Sequence, residues 1–404
     1  MAYQNVGNPR FYIDYLSYCN SMGLIKKVWM SPAYNNILEG NFIGLDPSSL
    51  CVVGTDDDSA IGTMAIAIQF HEQIPVDFLE TLNYVGVIGH NFHETSDEGF
   101  TLNLRAYTQW KQPTWNFPVG GANIWTGDFT PHNLATPADG NIINTGIHEL
   151  PNLDDWVTFP NNGFSIFEVK YDHIGTEEEP DLAPHSIAIG LNCYNPDPNI
   201  NNQDGFIGLW NMNSLTLGTY YDMPHSPELE MTMTMEYDGA ESITTRGGSH
   251  LSNVNYSGGS MWEGLDNTEA PPWTIGESDT KVRRHGRRVC ELNFNYLSDK
   301  DLFSSNYMSS HYAETGSTNN YDSEDIDTVD GVANQFYYTI TDDDSFSARV
   351  LNFIGAGQRF IFQPDNTNNN PDQFAICQLD QNSLEIKQVA NGVYNISLKI
   401  REVW

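Results

Sequence analysis

Few groupings in this sequence have residue types and spacing that could do chemistry. His90-Asn91-Phe92-His93-Glu94 is the first, two histidines three apart beside a carboxylate. A zinc site needs three or four such ligands converging on one point. Here the pair follows an apolar run that reads as a strand, where residues three apart face opposite ways. The stronger reading is a turn at Gly89-His90-Asn91. Gly355-Ala356-Gly357 has the start of a dinucleotide loop, but the third glycine position holds Phe360 and no strand–helix–strand pattern surrounds it. The chain contains no GxSxG, HExxH or CxxC motif and no P-loop.

Carboxylates are too many to select from. With 53 acids, no pair stands out for glycoside hydrolysis. Residues 325–331 (Asp-Ile-Asp-Thr-Val-Asp-Gly) have the composition of a Ca²⁺ loop without EF-hand spacing. A loose Ca²⁺ site is one reading; a solvated acidic loop is the stronger, and no cofactor is expected. Trp262 and Trp273 fall in a loop-rich stretch and could stack on sugars. Pinning that loop to the core is the simpler role for them.

The basic residues are the most unusual feature. Lys281, Arg283, Arg284, Arg287 and Arg288 crowd together, while no Lys or Arg lies between Lys27 and Arg105 or between Lys300 and Arg349. Three readings compete: nucleic-acid contact, a solvated basic turn, and contact with an acidic patch on another copy. The chain's net charge is −35, from 53 acids against 18 bases. So acidic a surface repels phosphate backbones and anionic membranes. It gives the cluster a ready partner in a second copy. The candidate subunit interface is therefore Lys281, Arg283, Arg284, Arg287 and Arg288, with Trp404, whose place at the chain end suggests packing against a neighbour.

The elements that would carry these residues read as strands. Of the 404 residues, 39% are hydrophobic and 12% aromatic, with 33 Gly and 20 Pro scattered as turn punctuation. Five dispersed cysteines make no disulfide framework or zinc site, which points to folding in a reducing cytosol. The first residues lack the pattern of a secretion signal, and no apolar run is long enough to span a bilayer.

Residues 1–45 read as a lead-in arm, with 11–16 either a strand or one helical turn. Residues 83–91, with Val85, Val87 and Ile88, read as a buried strand entering a turn, and 164–171 and 186–191 read as strands too. In residues 229–237 Leu, three Met and Tyr alternate with Glu and Thr, the pattern of a strand with one wet face. The end reads as a hairpin: an apolar–polar alternation on each side of Asn391-Gly392, which suits a type I′ turn. The expected fold is all-β: a jelly-roll-like β-sandwich over 46–225, then a second β region over 226–404 that holds the basic cluster and closes with the C-terminal hairpin.

Three segments together resemble virion structural proteins of marine tailed bacteriophages. They are 1–12 (Met-Ala-Tyr-Gln-Asn-Val-Gly-Asn-Pro-Arg-Phe-Tyr), 286–299 (Gly-Arg-Arg-Val-Cys-Glu-Leu-Asn-Phe-Asn-Tyr-Leu-Ser-Asp) and 389–398 (Val-Ala-Asn-Gly-Val-Tyr-Asn-Ile-Ser-Leu). Tyr84-Val85-Gly86-Val87-Ile88-Gly89-His90-Asn91, with Leu217-Gly218-Thr219-Tyr220-Tyr221, resembles the galactose-binding-like jelly roll of phage tail proteins. The resemblance implies a tail-associated virion component, at the tip or fibre-attachment region, that folds in the host cytoplasm. Its partners would be copies of itself and other virion proteins. The expected function is non-enzymatic self-assembly. The rival is a receptor-recognition module for host-surface glycan, and a polysaccharide depolymerase comes third.

Overall fold

The computed structural model describes residues 7–31, 42–46, 51–54, 63–71, 81–90, 101–107, 132–142, 164–170, 186–192, 209–229, 231–236, 240–254, 287–303, 345–369 and 373–403. Its strands follow from two kinds of sequence run. In the first, neighbouring residues are all apolar. Every residue of Tyr84–Ile88 and of Phe360–Gln363 is buried. Successive side chains of a strand point to opposite faces, so such a run needs cover on both sides. Two hydrophobic clusters supply it. Phe11, Ile13, Val85, Val87, Leu215 and Leu217 belong to one. Tyr12, Tyr84, Ile88, Phe164, Ile166 and Ile361 belong to the other.

In the second kind the burial alternates. Val393–Glu402 buries Tyr394, Ile396, Leu398, Ile400 and Glu402 while the residues between them are at least partly accessible. Its neighbour Arg287–Ser298 matches it, with Leu292 opposite Leu398 and Phe294 opposite Ile396.

Among the described residues fourteen strands lie side by side in one sheet. The order is Thr232–Glu236, Arg287–Ser298, Val393–Glu402, Ala375–Leu379, Phe360–Gln363, Arg10–Asp14, Ser214–Asp222, Tyr84–Ile88, Phe164–Lys170, His132–Ile142, Thr101–Tyr107, Ser186–Asn192, Thr63–Phe70 and Ile25–Ser31. Ile386–Ala390 adds to the Val393–Glu402 strand. The pairings are antiparallel. Ile66, Ile68 and Phe70 from one end of this order share a core with Leu215, Leu217 and Phe362 from its middle. The sheet therefore curls so that its parts stack face to face, a β-sandwich-like arrangement in an all-β protein. Among the described residues no helix is long and apolar enough to cross a membrane.

Several expectations change. The strand Arg10–Asp14 is not part of a lead-in arm but lies mid-sheet, pairing with Ser214–Asp222 on one side and Phe360–Gln363 on the other. It joins the regions on either side of residue 225 into a continuous sheet. The reason is the run Phe11-Tyr12-Ile13, each residue wholly buried, which only a central position satisfies. Helix Tyr15–Ser21 follows, capped by Asp14.

The Met-rich strand also differs. Thr232–Glu236 stands last in the sheet, and Met233 is 48% exposed and Leu229 93%. Among the described residues the strand pairs on one side only, and Met231 just before it packs against the core while Met233 stays half open. The C-terminal hairpin forms with Ala390 opposite Val393. Its turn is not type I′: Gly392 alone of the Asn391-Gly392 pair has positive φ, at 64°, and the ladder shifts register between Gln388 and Ala390.

Candidate functional site

Arg287 and Arg288 open the Arg287–Ser298 strand. Lys281, Arg283, Arg284, Trp404, Trp262 and Trp273, together with residues 325–331, lie outside the described residues. Arg288 is committed inside the chain. Its Nε and one terminal nitrogen donate to the two carboxylate oxygens of Glu402, each at 3.2 Å. Its backbone N–H donates to the same carboxylate at 2.9 Å, and the guanidinium reaches the Phe374 carbonyl at 3.0 Å. The Glu402 side chain is 3% exposed. Although burial opposes charge on the guanidinium, the Glu402 carboxylate outweighs it and holds the arginine above its ordinary pKa. This corrects the picture of Arg288 as a surface charge offered to a neighbour.

A second polar group lies on one face of the sheet centre, where the sequence signalled nothing. Arg10 donates twice to Asp222, at 2.6 and 2.7 Å, and its guanidinium carbon sits 3.9 Å from the Tyr220 ring centroid. The Tyr220 hydroxyl donates to Glu168 at 2.6 Å, and that of Tyr12 to Gln363 at 2.9 Å. Tyr84 shares a hydrogen bond with Thr216 at 2.8 Å. Strand register explains the gathering: Arg10 is opposite Asp222 and Gln363, and Tyr12 is opposite Tyr220. Residues from five separate strands thus meet. Their donors and acceptors are turned on one another, so the group locks the central strands in register.

His90, the described member of the histidine pair, is buried with its Nε2 at 2.9 Å from the Ser165 hydroxyl. Gly89 before it has φ of 67° and bends the chain, while Asn91, the last residue of the expected turn, lies outside the described residues. His93 and Glu94 lie outside the described residues. Gly355 follows the short helix Asn352–Ile354 and precedes the strand Phe360–Gln363. A dinucleotide loop needs the reverse order, strand then helix, so that phosphate meets a helix N-terminus.

The remaining candidate is a surface. Seven large apolar side chains stay exposed among the described residues, and Leu229, Met233, Ile243 and Leu251 are four of them. Leu229 precedes the terminal strand, Met233 lies on it, and Ile243 and Leu251 lie on the hairpin that follows in sequence, Ala240–Thr244 with His250–Val254.

No family model, curated protein or solved structure matches the chain. The two polar groups are bonded within the chain, while the terminal strand leaves Met233 about half exposed. The alternation of 229–237 was the sequence signal for that strand. Its place at the end of the sheet was not encoded locally.

Proposed function

We propose that this chain is a non-enzymatic structural protein of a virion, in the tail tip or fibre-attachment region, whose copies assemble through the outer end of the sheet. The observation that carries the assembly part is the terminal strand Thr232–Glu236, which leaves Met233 and the preceding Leu229 in water. Natural sheets usually guard a last strand with lysine, proline or a bulge. Here the strand reads Thr-Met-Thr-Met-Glu, and Glu236 is tied to Arg401 at 2.9 Å. An apolar face left open at a sheet end fits a neighbour better than it fits solvent, and repeated copies form closed rings when such patches are complementary. The virion part rests on the resemblance of residues 1–12, 286–299 and 389–398 to phage structural proteins.

Sedimentation of the purified chain over a range of concentrations tests the reading. Self-assembly is expected, and Met233→Lys should weaken it about tenfold by placing a charge in the contact. A wild-type chain that stays monomeric at all concentrations would count against assembly. Turnover of a host polysaccharide by the pure protein would count against the non-enzymatic part.

A further inference from the structure

The residues after the terminal strand build a small element of their own. Ala240–Thr244 and His250–Val254 pair with each other and, among the described residues, with no other strand. The tip is ordered by its own bonds. The Thr245 N–H donates to the Ser249 carbonyl at 2.9 Å, and the Gly248 N–H donates to the Thr245 carbonyl at 2.9 Å. The Ser249 N–H donates to the Thr245 hydroxyl at 3.0 Å, and Gly248 supplies the φ of +84°. Register sets Ile243 opposite Leu251 on one face, and they are 63% and 60% exposed. A two-stranded hairpin with no packed face is at best marginal in water. This one has a shaped tip, and its exposed Ile243–Leu251 pair shares a face with Glu241.

Charge identifies the occupant. Arg246, at the tip, is exposed and makes no ion pair among the described residues. Arg10, Arg288, Arg359, Lys399 and Arg401 are each paired with a carboxylate of their own chain. A positive tip on an apolar arm fits an acidic surface. At −35 net charge, another copy of this chain supplies one.

Resting on the self-assembly reading above, we propose that the hairpin of residues 240–254 is an assembly arm: it seats the Ile243–Leu251 pair and the Arg246 tip on the acidic surface of a second copy. The test compares the full-length wild type with the double variant Ile243→Ser/Leu251→Ser and with Arg246→Glu, by sedimentation at low and high salt. The double variant is expected to raise the concentration for half-assembly at least tenfold. Arg246→Glu is expected to weaken assembly at low salt, with the deficit shrinking as salt screens the contact. Circular dichroism should be unchanged in Arg246→Glu, whose side chain is exposed and makes no ion pair among the described residues. If the wild type assembles and both variants assemble equally well, the arm meets something other than a second copy and the inference fails alone. If the wild type never assembles, the inference and the reading beneath it fall together.

Discussion

Arg288 and Glu402 face each other across neighbouring strands, and the glutamate takes hydrogen bonds from both the guanidinium and the backbone N–H of the arginine. Removing one partner strands the other charge away from water, while replacing both removes the problem. Glu402→Ala should cost about 3 kcal/mol. The pair Arg288→Met with Glu402→Leu should recover most of that loss. A double-mutant cycle from urea midpoints checks both statements. The same geometry bears on the basic cluster. Arg288→Glu would set two carboxylates against each other inside the chain, so charge reversal there would report on folding before it reported on assembly.

Asp14 is wholly buried and caps helix Tyr15–Ser21, accepting from the Leu16 and Ser17 N–H groups at 3.2 and 3.0 Å and from the Ser17 hydroxyl. It also accepts from the Leu217 N–H at 3.3 Å. Burial raises its pKa, against the Ser17 and Leu217 bonds that favour the charged form. The folded chain then holds this proton more tightly than the unfolded chain does. Stability from the group is full below the ordinary carboxylate range and is lost as pH rises through the raised value. Asp14→Asn keeps an oxygen for the cap and has no charge to bury. Its stability relative to wild type should rise as pH climbs from the ordinary carboxylate range, then level off. Asp14→Ala lacks the cap and should lose about 1 kcal/mol or more even at low pH. Urea melts across that range distinguish the two.

Two glycines should respond differently to alanine. A Cβ at Gly218 would sit 2.0 Å from the Ile13 carbonyl oxygen, inside the pairing that holds the first strand. Gly218→Ala should therefore cost about 3 kcal/mol or more, because backbone must separate. Gly392 has open space around it but φ of +64°. Gly392→Ala should cost about 1 kcal/mol, from conformation alone. Thermal or urea unfolding of the two variants gives the order.

Cys19, Cys51 and Cys377 are buried. Burial pushes the Cys19 and Cys51 thiols up to about 12, and holds that of Cys377 well above its ordinary value. Since the thiolate is the reactive form, these three should resist alkylation in the native chain at pH 8 and react fully in denaturant. Peptide mass analysis after iodoacetamide checks each site. Fast native labelling at any one would contradict the packing around it.

The strands were legible wherever one local pattern sufficed. Val85, Val87 and Ile88 marked a buried strand, and it spans Tyr84–Ile88 with every residue inside. The alternation ending in Tyr394, Ile396, Leu398 and Ile400 marked the last strand and its buried face. The candidate surface was half legible. Its Met–Thr alternation pointed to a strand, but the same alternation fits a covered face and an open one. The Arg10–Asp222 and Tyr220–Glu168 contacts gave no signal, because their partners stand far apart in sequence.

Side-chain type and period alone determined that the chain is a β protein and where many of its strands lie, since a strand's two faces are written in its own residues. Tertiary structure alone decided the strand order. It moved Arg10–Asp14 to the sheet centre and Thr232–Glu236 to its end, and it turned Arg288 inward on Glu402. The physical reason is that backbone hydrogen bonds between strands are alike whatever residues they join. Neighbours are therefore chosen by how distant side chains pack and pair, which no single segment records.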